Sequence, residues 1–123
     1  MLESILCKVI DSLKQKHSLT KYQTNQLQLA LKYWKKDSLV YPSALKSKLN
    51  IDIVKMYEIL EDIKLMGILE RNYEVYCFEC SHFKGKILRT PTDMEENFTC
   101  DFCNHEFDPI KDTILIYRVI KDE

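Results

Sequence analysis

Two Cys-x-x-Cys pairs constrain this chain more than any other feature of its sequence. The first pair is Cys77-Phe-Glu-Cys80 and the second is Cys100-Asp-Phe-Cys103, with nineteen residues between them. Zinc prefers four soft ligands at the corners of a tetrahedron, and each pair can supply two sulfurs from one tight turn. The spacing therefore predicts one zinc ion bound by Cys77, Cys80, Cys100 and Cys103.

A pair of redox-active dithiols is the competing interpretation of these cysteines. A redox motif usually occurs singly beside a strand–helix unit, and no such unit flanks either pair. The residues that follow the pairs are also alike, because Ser81-His82-Phe83 follows the first and Asn104-His105-Glu106-Phe107 follows the second. This similarity favours two knuckles of one metal site.

The amino-terminal residues do not resemble a signal peptide. Glu3, Lys8 and Asp11 interrupt any apolar run, and no stretch of the chain approaches the roughly eighteen apolar residues of a membrane span. We therefore expect a cytoplasmic protein with no membrane partner. Its thiols should stay reduced in that compartment, which again favours a metal over disulfides.

Charge is distributed unevenly along the chain. Residues 1–50 carry nine lysines and three acidic residues, whereas residues 51–123 carry nine basic and sixteen acidic residues. Such a protein can contact nucleic acid with one face or meet another protein by charge complementarity. We expect another protein subunit as the partner, and the basic N-terminal half could also attract nucleic acid. No small-molecule substrate is expected.

Apolar periodicity predicts four helices in the first part of the chain. They cover residues 2–16, 20–36, about 42–49 and about 52–66. Thr20 begins a predicted capping box, and Asp52 is a predicted N-cap of the fourth helix. Asn50 and Gly67 are predicted to end the third and fourth helices. Cys7 lies beside the apolar stripe of the first helix, so we expect it to be a small buried side chain.

Strands are predicted after the helices. Residues 68–70 and 73–76 read as a β-hairpin around a polar turn at Arg71-Asn72, residues 84–89 as a strand, residues 91–97 as a polar loop, and residues 113–120 as a β-rich run. Short helix, turn, longer helix and hairpin is the order of a winged helix-turn-helix. The predicted fold class is therefore α+β: N-terminal helices and a winged helix in residues 1–76, then a small β zinc ribbon in residues 77–123.

The predicted zinc ribbon is too short to bury a secure hydrophobic core alone. Zinc binding in small peptides contributes about 10–16 kcal/mol, so this part of the protein should depend on its metal. The run Thr113 to Ile120 is apolar on both of its strand faces and needs cover on both. Either a second protein or the chain's own first helices could provide the second cover.

This arrangement resembles the alpha subunit of the archaeal and eukaryotic general transcription factor E family. In that family a winged helix precedes two Cys-x-x-Cys pairs, and the winged helix works largely through protein contacts near the polymerase. The resemblance rests on the order of the elements and implies only the four metal ligands residue by residue. Ser81 and Asn104 stand where the knuckles usually have glycine.

The candidate recognition helix is not suited to reading DNA. Residues 52–66 carry four acidic residues and two lysines, and net negative charge opposes entry into a major groove. The three histidines, His17, His82 and His105, form no catalytic pattern that the sequence can certify. Four thiolates also leave zinc no open position for a water molecule.

These observations predict a non-catalytic, zinc-stabilised winged-helix subunit or adaptor of a larger nucleic-acid-related assembly. Transcription, DNA maintenance and defence against mobile elements are the contexts that the resemblance suggests. One alternative is a DNA-binding transcriptional regulator that uses the basic first half. A zinc-dependent enzyme is the other alternative, and it is disfavoured.

Overall fold

The computed structural model describes residues 1–94 and 98–123, and within them the chain is a mixed α+β protein. The helices are α1 Glu3–His17, α2 Lys21–Lys32, α3 Pro42–Leu49 and α4 Ile53–Leu65, with a short 3₁₀ helix at Pro91–Asp93. The strands are β1 Leu39–Val40, β2 Leu69–Cys77, β3 His82–Leu88 and β4 Thr113–Val119. The predicted α+β class is confirmed. No helix in the described residues is both long and apolar enough to cross a membrane.

Local sequence signals mark the helix ends as predicted. The Thr20 hydroxyl accepts a hydrogen bond from the Gln23 amide at 3.1 Å, and the Gln23 side chain accepts one from the Thr20 amide at 3.0 Å. The Asp52 carboxylate caps α4 by accepting from the Lys55 amide at 2.9 Å. Asn50 adopts a left-handed conformation with φ of 54° at the end of α3. Each cap satisfies backbone groups that a helix terminus leaves without partners.

The second helix is shorter than predicted. It was expected to reach residue 36, but α2 ends at Lys32. The Trp34 carbonyl accepts from the terminal amino group of Met1 at 2.9 Å, and the Asp37 amide donates to the Val119 carbonyl at 2.7 Å. These long-range bonds hold the backbone after Tyr33 outside a helix, so tertiary contacts override the local propensity.

The hairpin predicted at Arg71-Asn72 is wrong. β2 continues through both residues as one strand from Leu69 to Cys77. The Asn72 side chain is fully buried, and its amide donates to the Arg71 carbonyl at 2.7 Å. Because this polar side chain is satisfied inside the structure, it does not need a solvent-exposed turn. The hairpin is instead β2–β3, and the winged-helix assignment stays a prediction.

The four strands hydrogen-bond in the order β1-β4-β2-β3. β1 pairs antiparallel with β4, and β2 pairs antiparallel with β3. Tyr76 faces Phe83 and Glu74 faces Ile87, so β3 carries extra residues between these pairs. Gly85 lies in that irregular stretch with φ of 69°, a conformation that favours glycine.

The chain divides into two compact units. The helical unit comprises Met1–Glu70 and Tyr117–Glu123, and the cysteine unit comprises Arg71–Ile116. The helical unit buries one apolar stripe from each long helix, including Leu13, Leu27, Leu31, Leu49, Met56, Ile59, Leu60 and Ile63, all without solvent exposure. The predicted division into a winged-helix domain, residues 1–76, and a zinc ribbon, residues 77–123, stays a prediction.

The last strand is covered on both faces. Ile116, Tyr117 and Val119 are all fully buried, and successive residues of a strand point to opposite faces. The Tyr117 hydroxyl donates to the Glu61 carboxylate at 2.5 Å, and its ring lies 6.4 Å from the Tyr57 ring. The contacts of Tyr117 come from α4, so cover of this strand by the first two helices stays a prediction. The expectation of a partner subunit itself stays a prediction.

Candidate metal centre

The first knuckle is the turn of the β2–β3 hairpin. Cys77 ends β2 and pairs with His82 at the start of β3, so Cys80 lies in the connecting turn. Ser81 follows with φ of 58°, in the left-handed region. That conformation turns the chain back into β3, and it is why glycine usually occupies this position.

The second knuckle repeats this geometry between shorter strand segments. Thr99 and Glu106 form an antiparallel bridge, and the Cys100 amide donates to the His105 carbonyl at 2.8 Å. Asn104 adopts φ of 59°, and its amide donates to the Cys100 carbonyl at 2.9 Å. Asparagine tolerates the left-handed region better than most side chains. The two turns therefore match although neither has the usual glycine.

The four predicted ligands meet at one point of the cysteine unit. The Sγ atoms of Cys77, Cys80, Cys100 and Cys103, here called the cysteine cluster, all lie within 4.8 Å of one another. Two of the distances, Cys77 to Cys103 and Cys80 to Cys100, are 3.5 Å. A zinc–sulfur bond of about 2.3 Å places tetrahedral sulfurs about 3.8 Å apart. The cluster can therefore hold a metal ion, and its geometry is compatible with zinc.

The chemistry of the cluster favours metal binding over disulfides. All five cysteines are free thiols, and each short contact joins the two knuckles rather than the two cysteines of one motif. A redox dithiol would instead pair the cysteines within one Cys-x-x-Cys motif. The closest sulfurs are also well beyond the roughly 2.05 Å of a disulfide bond.

One thiol of the cluster is poised to lose its proton. Burial raises the pKa of Cys100, but the backbone amides of Cys103 and Phe102 and the ammonium group of Lys84 outweigh it and lower the pKa to about 6. Lys84 Nζ lies 3.3 Å from the Cys100 sulfur. Burial and the neighbouring thiols raise the pKa of Cys80 to about 12. Metal binding requires thiolates, so a metal would displace the remaining protons.

A small hydrophobic core supports the cluster. Its buried members are Val75, Cys77, Leu88, Met94, Cys100 and Phe107. Phe98 packs beside Phe107 with ring centroids 5.0 Å apart. Two of the predicted ligands are thus core residues themselves. Residues 95–97 of the predicted polar loop lie outside the described residues.

A buried carboxylate braces the second knuckle, and sequence reasoning missed it. Asp112 is almost fully buried, and its Oδ2 lies 3.1 Å from His105 Nε2 and accepts from the Asp108 amide at 2.7 Å. Asp108 in turn accepts from the Ile110 and Lys111 amides at 2.8 and 3.0 Å. Nothing in the local sequence paired Asp112 with His105.

Aromatic side chains lie on the surface around the two knuckles. Tyr76 contacts Phe78 and Phe83, each at a centroid distance of 4.7 Å. Phe102 stacks on His82 at 4.9 Å, and Lys84 Nζ lies 4.2 Å from the centroid of the same ring. Phe102 is 71% exposed.

Two other candidate residues, His17 and Cys7, belong to the helical unit rather than to the cysteine unit. His17 lies in the helical unit, where its Nε2 is 2.5 Å from Asp62 Oδ2 and Lys16 Nζ is 2.8 Å from Asp62 Oδ1. Burial raises the pKa of Asp62, but these two partners outweigh it and leave the pKa below its usual value. The prediction for Cys7 is wrong, because this thiol is exposed on α1. Cys7 directly follows the buried Leu6 and is not part of the buried stripe of α1.

Comparisons with protein-family models, with curated proteins and with solved structures find no match to this chain.

Proposed function

We propose that this chain is a non-catalytic, zinc-stabilised interaction subunit of a larger nucleic-acid-related assembly in the cytoplasm. In this proposal α3, α4 and the β2–β3 hairpin form a winged helix, and the two knuckles form a zinc ribbon. The assembly belongs to transcription, DNA maintenance or defence against mobile elements. That context rests on the resemblance to the transcription factor E alpha subunit.

The observation that carries the proposal is the closed donor set of the cysteine cluster. Four thiolates within 4.8 Å of one another supply every ligand that tetrahedral zinc needs. Catalytic zinc keeps one position for water or substrate, and four protein ligands leave none. The ion therefore holds two knuckles together, and the activity of the protein lies on its surfaces.

The acidic side chains of α4 argue against its use as a DNA recognition helix. Glu61 accepts a hydrogen bond from Tyr117, and Asp62 binds Lys16 and His17. These carboxylates serve the packing of the helical unit. A recognition helix that enters the major groove lies between two phosphate backbones, so it would present basic and amide groups to the DNA instead.

Metal content tests this proposal directly. We expect one zinc ion per chain in the purified protein by elemental analysis, and Co²⁺ substitution should produce the absorption bands of a tetrahedral tetrathiolate. Cys80→Ser should lose both signals, whereas Cys7→Ser, which changes the exposed thiol outside the cluster, should keep them. Protein without bound metal, or a disulfide within one pair, would overturn the zinc assignment.

Interaction with a partner is tested separately by isolating the native protein under gentle conditions. We expect it in a complex larger than the free chain, together with at least one other protein chain. A native protein that migrates as a free chain, with full zinc content, contradicts the interaction role and leaves the metal assignment intact.

Direct nucleic-acid contact is the second candidate function, and one observation favours it. Lysine side chains lie against aromatic rings in the cysteine unit: Lys84 over Phe102, and Lys86 over Phe98 at 4.9 Å. The exposed His82 ring extends the first of these stacks. Cations beside exposed rings are typical of sites that bind the backbone and the bases of single strands.

Oligonucleotide binding distinguishes the two functions. If the second function holds, an oligothymidylate of about 15 nucleotides should bind with an affinity that falls steeply with salt. Phe102→Ala should then weaken binding by about 1–3 kcal/mol. Phe83→Ala serves as the control, because Phe83 contacts Tyr76 rather than a lysine. Equal binding by both variants, or none at low salt, excludes this surface as a nucleic-acid site.

A further inference from the structure

An apolar groove lies between α2 and α3 in the helical unit. Its volume is about 600 Å³, and its floor is formed by the buried side chains Trp34 and Val40. A groove of this size falls within the range of sites that bind small molecules or helical peptides.

The walls of the groove follow helical periodicity. Gln26, Leu29, Ala30 and Tyr33 line one wall, with the i, i+3, i+4, i+7 spacing of a single face of α2. Tyr41, Ala44, Leu45 and Lys48 line the other wall with the same spacing along α3. α2 packs into the core through a different stripe, Thr24, Leu27 and Leu31. Seven residues of helix span about 10 Å, which is about two turns of an incoming helix.

Large apolar side chains stay exposed along the walls. Leu29 is 51% exposed, Tyr33 is 72% exposed and Leu39 is 36% exposed. A single exposed apolar residue is ordinary, but three beside one groove form a continuous apolar surface. Aromatic anchors such as Tyr33 are also the side chains that contribute most at protein interfaces.

The charge around the groove is positive. No acidic side chain is among the described residues that line it, and Lys48 lies on its rim. Lys32 Nζ lies 5.9 Å from the centroid of the Tyr33 ring. Every residue that lines the groove belongs to residues 1–50, which carry nine lysines and three acidic residues. An apolar ligand with flanking carboxylates would complement both the floor and the rim.

We propose that this groove binds an acidic amphipathic helix of a partner protein. Two apolar anchors, spaced one or two helical turns apart, would insert over Trp34 between Leu29 and Ala44, and flanking carboxylates would face Lys32 and Lys48. This inference rests on the proposed role as an interaction subunit and names the chemistry of the partner. Nucleic acid fits the groove less well, because its floor offers apolar surface rather than donors for phosphate or base edges.

Selection from a displayed peptide library tests the inference. The bait is the full zinc-loaded chain, and the library presents helical peptides of about 16 residues with all side chains on one face randomised. We expect the selected peptides to be acidic, with two apolar anchors on that face. Their affinity, measured by fluorescence anisotropy, should fall at least about tenfold with Leu29→Asp, which is about 1.4 kcal/mol.

Matched variants make the result specific. Leu65→Asp changes a leucine on α4 that is more exposed than Leu29 and lies outside the groove, and it should leave peptide affinity unchanged. Lys48→Glu should weaken the acidic peptides and strengthen versions in which each Glu is replaced by Lys. Far-ultraviolet circular dichroism checks that each variant keeps its helices. Selected peptides that are basic or uncharged, or that bind Leu29→Asp as well as the wild type, overturn the inference.

Two further outcomes separate this inference from the function on which it rests. A native complex that survives Leu29→Asp overturns the groove as the docking site and leaves the interaction role standing. A homodimer in solution that Leu29→Asp dissociates shows that a second copy is the occupant, which also overturns the inference. If the peptides bind as expected but no native complex exists, the proposed role as an interaction subunit is contradicted instead.

Discussion

Replacing Cys100 by serine should unfold the cysteine unit and leave the helical unit folded. Cys100 is fully buried, is a member of the cysteine cluster, and belongs to the small core beneath it. Its loss removes one of four ligands, and three ligands bind zinc much more weakly. The prediction depends on how much of the stability of the unit comes from its metal.

The core of the cysteine unit is small compared with the metal. Its buried side chains other than cysteine are Val75, Leu88, Met94 and Phe107. At about 1.5–3 kcal/mol each, they contribute on the order of 6–12 kcal/mol. Zinc contributes about 10–16 kcal/mol in small zinc-binding peptides. The contribution of the metal is therefore comparable to or larger than that of this core, and the core alone should not keep the unit folded.

The helical unit should weaken but survive. Once the cysteine unit unfolds, residues 71–116 become a flexible loop of about 46 residues that connects Glu70 to Tyr117. Closing such a loop costs about 3 kcal/mol, from (3/2)RT ln n. That is a fraction of the 5–15 kcal/mol typical of a folded domain. With a urea dependence of about 1–3 kcal/mol/M, the unfolding midpoint should fall by roughly 1–3 M.

Two probes follow the two units separately. Trp34 is the single tryptophan of the chain and is buried in the helical unit, so its fluorescence reports that unit. Limited trypsin digestion at Lys84, Lys86 and Arg89 reports the cysteine unit. In Cys100→Ser, cleavage at these sites should accelerate greatly while the tryptophan signal stays native. Cys7→Ser controls for the loss of any thiol and should match the wild type.

The reasoning is refuted if Cys100→Ser keeps β3 as resistant to trypsin as the wild type. It is equally refuted if the chelator-treated wild type shows no change in digestion, because the core would then stabilise the unit without a metal. Loss of the native tryptophan signal in the variant would instead refute the separation between the two units.

Three further predictions concern stability. Ser81→Gly should stabilise the zinc-loaded protein by about 1 kcal/mol in thermal unfolding, because glycine removes the cost of a left-handed serine, and Ser81→Ala should not. Ile116→Ala should cost about 3 kcal/mol in urea unfolding because Ile116 is fully buried, whereas half-buried Ile114→Ala should cost about 1 kcal/mol; equal costs would contradict the described burial. Asp62→Asn should lower the free energy of unfolding by about 1–3 kcal/mol at pH 6, because it weakens the bonds of this side chain to His17 and Lys16. Because the folded-state pKa of Asp62 is lowered, that difference should persist above about pH 4 and vanish as the pH falls further; a constant difference down to pH 2 would rule out this origin.

Short-range signals predicted much of the local structure. The caps at Thr20 and Asp52 and the left-handed end at Asn50 follow from interactions within three or four residues, and each occurs as predicted. The four helices and the last strand follow from apolar periodicity, with ends displaced by a few residues. The hairpin at Arg71-Asn72 failed because burial and a satisfied side chain, neither visible locally, kept β2 continuous.

The cysteine cluster was predictable for a chemical reason. Two Cys-x-x-Cys turns with this spacing are typical of one four-thiolate zinc site, so the sequence indicated that the four sulfurs would meet, and they lie within 4.8 Å of one another. The Asp112–His105 contact and the lysine–aromatic pairs around the knuckles were not predictable. Their members lie on different segments, and only the folded chain brings them together.

Local sequence was enough to predict the cysteine cluster, the helices with their caps, and the uneven charge, because each depends on residue identity over a few neighbouring positions. Which apolar residues remain exposed became clear only in the folded chain. Leu29 and Tyr33 lie outside the core stripe of α2 and line an open groove, whereas Ile116 and Tyr117 are fully buried although they point to opposite faces of β4. Burial depends on which elements pack against a face, and that is set by the whole chain rather than by any local stretch.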